Sequence, residues 1–245
     1  ALALAREGEA GLRAACGSAA GDQASRALEL GCGVALAGLT AHAVGYETTL
    51  TDCLPGHLRS LQERKVPESQ SRGPRVRYLD WLEEEASGVV PVEGIQCHVD
   101  RGSPENSSLA GSAWPRLAAE EHGSFDLVLA SDILYEEHHA VLLPAVVVRW
   151  LRPGGLWIFS LAIRDGEMLL CFLEGLRLKG LLDTLTWETA CLPERCAFCR
   201  SHSGSLPGHH RGGNGASKPV PPKFLQELIE GHEGGAILLR GQRSC

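Results

Sequence analysis

Between residues 26 and 162 short β-type runs alternate with helix-like segments. The runs are RALEL (26–30), YETTL (46–50), RVRYL (75–79), FDLVLA (125–130) and LWIFSLA (156–162). The segments at 35–44, 56–65 and 137–151 read as helices. FDLVLA and LWIFSLA are continuously apolar, as expected of strands covered on both faces. This alternation predicts an α/β fold with a doubly wound, mostly parallel sheet. Right-handed crossovers bring the carboxyl ends of such strands to one edge, where ligands bind in folds of this type. Chemistry is therefore to be sought just after each strand.

The remaining pattern fits a single domain over 1–245. Residues 2–14 and 165–179 read as amphipathic helices, and 181–189 and 235–240 as two late strands. RPGG (152–155) is expected to end the helix before it. Two polar, Gly- and Ser-rich stretches read as surface inserts, at about 83–124 with a short strand near 94–98, and at 190–223.

The net charge of −7 argues against a phosphate-binding nucleic-acid protein. No apolar run approaches membrane-spanning length. The first residues lack the pattern of a signal peptide. Because the chain begins without Met, a preceding segment is expected. Nine scattered cysteines, an odd number, do not form a disulfide framework and imply a reducing compartment, taken as cytoplasmic or nuclear. Within 190–223, Cys196, Cys199 and His202 stand close together, with Cys191, His209 and His210 nearby. The paired spacing of a complete zinc site is missing. A flexible loop without metal is the expectation.

After the first strand comes ELGCGVALAG, in which Gly31 and Gly33 let backbone approach a ligand closely at a helix start. Glu29 lies two residues before Gly31. Asp52 ends the second strand, 19 residues past Gly33, where a carboxylate can hold both hydroxyls of a ribose. A dinucleotide fingerprint would need glycine at 36, which is Leu36; the next glycine is Gly38. A ribose-bearing cofactor without a pyrophosphate, S-adenosylmethionine, fits better than NAD, with Glu29 or nearby carbonyls available to its ammonium. Asp80 and Trp81 follow the third strand and suit an adenine; a helix-capping aspartate and a core tryptophan would look the same. The fourth strand runs into ASDILY, presenting Asp132 and Tyr135 at the same edge.

These pieces, LELGCGVALAGL (28–39), TLTD (49–52), YLDW (78–81), FDLVLASDILYEE (125–137) and LRPGGLWIFSLAIR (151–164), resemble the seven-strand S-adenosylmethionine-dependent methyltransferases. More narrowly they resemble the methyltransferase-like protein lysine methyltransferases called family 16. The resemblance implies a Rossmann-like seven-strand sheet with an antiparallel last strand at 235–240. It implies that Gly31, Cys32 and Gly33 line the methionine portion, Asp52 the ribose and Trp81 the adenine. Ser131 would lie beside the cofactor. Asp132 and Tyr135 would match a D-x-x-Y signature bordering the channel for a target lysine. The partner would be a lysine-bearing protein, and the enzyme a monomer. Cys32 replaces the more usual Ala or Thr, and QERKVPES lacks an Asn that relatives often carry. The N-P-P-Y signature of planar-nitrogen methylation is absent. A small-molecule N- or O-methyltransferase and a cofactor-binding protein without turnover are the rival readings.

Overall fold

A computed structural model describes residues 25–64, 73–86, 114–190, 209–213 and 235–244. The predicted helix at 2–14, the strand near 94–98 and the group Cys191, Cys196, Cys199 and His202 lie outside those residues.

The sheet is built from β1 (Arg26–Leu30), β2 (Glu47–Asp52), β3 (Arg75–Tyr78), β4 (Phe125–Ser131), β5 (Leu151–Ala162), β6 (Thr186–Ala190), β7 (His209–Gly213) and β8 (Ala236–Gln242). Their order is β3-β2-β1-β4-β5-β8-β6-β7. The first five pair in parallel, and β8 inserts antiparallel between β5 and β6. This is the seven-strand arrangement predicted, with 236–242 as the inserted strand. One correction concerns β7, an eighth strand on the outer edge beside β6. It falls within the stretch expected to be a loop and contains His209 and His210. HHRGG has little intrinsic β-propensity, so its strand form depends on the ladder that β6 offers.

Among the described residues, five α-helices accompany the sheet: α1 (Leu36–Ala43), α2 (Pro55–Gln62), α3 (Trp81–Ala86), α4 (Glu137–Trp150) and α5 (Gly166–Leu178). The apolar run of β4 divides by alternation between two faces. Leu127 and Leu129 pack with Ala37 and Ala41 of α1, while Val128 and Ala130 join Val146 and Val147 of α4 and Phe172 of α5. Helices α4 and α5 meet closely because Gly175 has no side chain; a Cβ there would stand 2.7 Å from Pro144 Cγ. Leu58 and Leu61 of α2 cover Leu50 and Val76 on the outer strands.

Two boundaries differ from the sequence reading. RPGG does not separate helix from strand. It lies within β5, where the pairing with β4 slips between Phe125 and Leu127, and Gly154 takes φ 73° there. The excursion at 83–124 is helical at its start, in α3. At its return Arg116 bridges Tyr78 in parallel and Tyr78 N–H donates to the Pro115 carbonyl at 2.9 Å. Among the described residues no helix is long and apolar enough to cross a membrane.

Candidate active site at the carboxyl edge of the sheet

The strand order reverses between β1 and β4, so the crossovers on either side diverge and leave a crevice beyond those two strands. The turn after β1 is tightly wound. Gly31, Gly33 and Ala35 have φ of 55°, 47° and 59°. Left-handed residues so close together turn successive N–H groups toward one side of the loop. Gly33 has open space where a Cβ would project, while a Cβ on Gly31 would come within 3.1 Å of Ile133 and 3.2 Å of Trp81. Residues from beyond β1, β3 and β4 thus converge on Gly31.

Ala35 stands at the N-cap of α1 and has no side-chain acceptor to offer. Glu29 supplies one from inside β1: its Oε2 accepts from Gly38 N–H at 3.0 Å. The residue is 1% exposed, and burial raises its carboxyl pKa to about 7 against the hydrogen bonds from Gly38 and Ala37. Glu29, expected near a ligand ammonium, therefore acts here as the cap of α1. Cys32 is buried, and burial pushes its thiol far above the usual range.

Asp52 is 6% exposed and holds the glycine loop to the start of α2. Its Oδ2 accepts from Gly33 N–H at 2.9 Å and contacts His57 Nδ1 at 3.2 Å; its Oδ1 accepts from Leu54 N–H at 2.9 Å. A carboxylate oxygen has two lone pairs, so Oδ1 can accept a further hydroxyl. Asp80 Oδ1 accepts from Leu82 N–H at 2.9 Å and opens α3, the capping geometry held open by the sequence. Trp81 is partly buried, edge-on to the His139 ring with centroids 5.0 Å apart.

Beyond β4, Ser131 pairs with Ser160, and Asp132 turns into the left-handed region at φ 52°. Its N–H donates to the Ser160 carbonyl at 2.7 Å. Helix α4 starts only at Glu137 with Glu136 as its N-cap, so Asp132 is not a helix cap. The Asp132 carboxylate instead accepts from Arg164 Nη2 at 2.6 Å, with both side chains more than half exposed. Ile133 and Leu134 then bury, and Tyr135 emerges 55% exposed with its ring against His139, centroids 4.4 Å apart. Partial burial, with Cys53, Asp52 and Glu136 nearby, raises the Tyr135 phenol above its usual pKa, so it stays protonated at neutral pH.

Sequence reasoning missed Cys53, Glu136, His138, His139 and Arg164. Cys53 lies at the surface, and its thiol is raised to about 11 by partial desolvation from the packing around it and by Asp52, Asp80 and Glu136. His139 is buried among the rings of Trp81, Tyr135 and His138. Two adjacent histidines at a helix start were the visible signal; only the fold shows that one of them points into the ring cluster.

No protein-family model and no curated protein matches this chain. Solved structures do. A candidate sarcosine dimethylglycine methyltransferase from Galdieria sulphuraria is similar at 14% identity and a TM-score of 0.50, over 91% of this chain and 79% of that one. An S-adenosylmethionine-dependent methyltransferase from Mesorhizobium loti is 16% identical with a TM-score of 0.42, over 90% of this chain and 91% of the other. A further S-adenosylmethionine-dependent methyltransferase, from Thermotoga maritima, is 11% identical with a TM-score of 0.44, over 96% and 89%. At these identities the likeness speaks for the fold, and the Galdieria structure shares this chain's Rossmann-like arrangement of sheet and helices.

Proposed function

We propose that this chain is an S-adenosylmethionine-dependent methyltransferase and that it acts on lysine side chains of a protein. The observation that carries the reading is the convergence at Gly31: the glycine loop, Trp81 and the Asp132–Tyr135 segment meet at the switch point of the sheet. The residues present fit the cofactor. Gly33 borders open space, the spare acceptor capacity of Asp52 suits a ribose hydroxyl, and Trp81 beside Gly31 offers an aromatic surface to an adenine. Gly31, Cys32 and Ser131 would border the cofactor, Asp80 and Glu29 would hold α3 and α1 in place around it, and the cofactor when bound supplies an electrophilic methyl group.

The substrate side rests on Asp132 and Tyr135, exposed at the end of β4. A carboxylate attracts an ammonium, and a neutral phenol can donate to or accept from an amine. Together they orient the nitrogen lone pair and take up the proton it loses. Arg164 already pairs with Asp132, so an incoming amine shares or displaces that guanidinium. The net charge of −7 favours cationic substrates over nucleic acid.

Calorimetry with S-adenosylmethionine and with NAD tests the cofactor assignment. Micromolar binding of the first and none of the second is expected, and Asp52→Asn should weaken binding by about 1–3 kcal/mol. NAD binding alone would overturn the reading. Labelled cofactor incubated with a cell lysate tests the substrate: label recovered as methyl-lysine after protein hydrolysis is expected. Label only in small molecules would favour the rival class.

A further inference from the structure

We propose that Glu136, His138 and His139 form a binding site for a zinc-class dication at the start of α4, beside Tyr135. One ligand atom from each lies within 4.8 Å of the others. The Glu136–His138 edge is already set, with His138 Nδ1 3.3 Å from Glu136 Oε2. Donor atoms bonded to zinc at roughly 2.0–2.1 Å in a tetrahedron stand about 3.3 Å apart, so this edge matches. Glu136 is largely exposed and has the freedom to close the remaining distance to His139.

His139 provides the independent sign. It is 6% exposed, and its Nδ1 has no hydrogen-bond partner among the described residues. An imidazole nitrogen with no proton partner of its own is free to present its lone pair to an ion. Without a ligand, a buried lone pair is left unsatisfied. The positive end of α4 opposes a cation here. The Glu136 carboxylate offsets it, and Asp52 and Asp80 add to the local negative field that acts on Cys53 beside them. Two imidazoles and one carboxylate suit zinc better than magnesium or calcium. Three protein ligands leave a fourth position for water or a substrate donor.

The test uses the full chain. Cys196 and Cys199 could capture zinc themselves, so Cys196→Ser/Cys199→Ser serves as the background. Zinc chloride titrated by calorimetry into this metal-free protein should bind at one ion per chain. Glu136→Gln and His138→Ala, each added to that background, should weaken binding by about tenfold or more. Glu136 is exposed and His138 partly buried, and matching melting curves without zinc establish that the variants fold. Cobalt in place of zinc should give visible d–d bands without a thiolate charge-transfer band. The proposal is overturned if the background protein binds no zinc, if the two variants bind as tightly as their parent, or if a thiolate band places the ion on cysteine.

Discussion

The Arg164 guanidinium reaches back from just beyond β5 to the Asp132 carboxylate beyond β4, 2.6 Å away, in a contact that neither helix nor strand requires. The Ser131–Ser160 register of the two strands sets it up, and the left-handed turn at Asp132 directs the carboxylate toward Arg164. An exposed ion pair of this kind contributes under about 1 kcal/mol to stability. Under the proposed function, this carboxylate is the group that an incoming amine would meet, sharing or displacing the guanidinium.

Asp132→Asn separates the two roles. Asn tolerates φ near +52° and keeps the side-chain shape, so the melting temperature should hardly move. Cofactor affinity should stay within about threefold, under 1 kcal/mol. Methyl transfer should fall by about two orders of magnitude or more, because charge and positioning are lost together. Arg164→Ala leaves the carboxylate in place, and its loss should stay within about tenfold. Full activity in the Asn variant would remove Asp132 from the chemistry.

The paired sheet was legible because burial on both faces writes a continuous apolar run into β4 and much of β5, and the strand ends could be read from where those runs stop. Glu29 was visible as an acid in an apolar strand. Its role was not, because the cap it supplies belongs to another element: Ala35 offers α1 no acceptor, and the Gly38 N–H that Glu29 receives lies nine residues further along the chain. The Arg164 pairing was hidden for a similar reason: residues 32 apart meet only through the β4–β5 register. Likewise β7 exists through its neighbour β6, and RPGG could be read as a breaker but not as a slip within a strand.

Three glycines should respond to alanine differently. At Gly38 a Cβ would stand 2.3 Å from Leu50 Cδ2 and 2.5 Å from Glu29 Oε2, breaking the cap of α1. Gly38→Ala should lose about 1–3 kcal/mol or more. At Gly33 nothing lies within 4 Å, so Gly33→Ala carries only the cost of φ 47°, about 1–2 kcal/mol. The added methyl would project into the space assigned to the cofactor, so binding should weaken more than stability. Gly31→Ala should lower both, because the new methyl crowds Ile133 and Trp81. Chemical denaturation and calorimetry on the three variants check the order; a Gly33→Ala protein that binds S-adenosylmethionine like the wild type would move the cofactor away from this loop.

Glu29 makes stability depend on pH in a direction opposite to most carboxylates. Burial raises it from an ordinary 4.5 to about 7, so the folded state favours the protonated acid. Its contribution is fully present below about pH 4.5 and is lost as pH rises through 7. His139 runs the other way: lowered from 6.5 to about 4, it contributes above 6.5 and loses that as pH falls through 4. Between pH 4.5 and 6.5 the two slopes oppose each other, and the wild-type curve is flattened there. Glu29→Gln keeps an acceptor for Gly38 N–H and cannot ionise. Relative to wild type the variant should therefore gain stability steadily from pH 4.5 to 7, by on the order of 3 kcal/mol at most, and level off above that. The buried amide that Glu29→Gln introduces lacks a partner for its own N–H groups and sets a constant offset. For that reason the slope of the difference, and not its value at one pH, is the quantity to read. Comparing melting temperatures of the two proteins at about pH 5, 6, 7 and 8 cancels the His139 contribution, which both share. Parallel curves would mean that Glu29 is ionised throughout and that its hydrogen bonds from α1 outweigh the cost of burial.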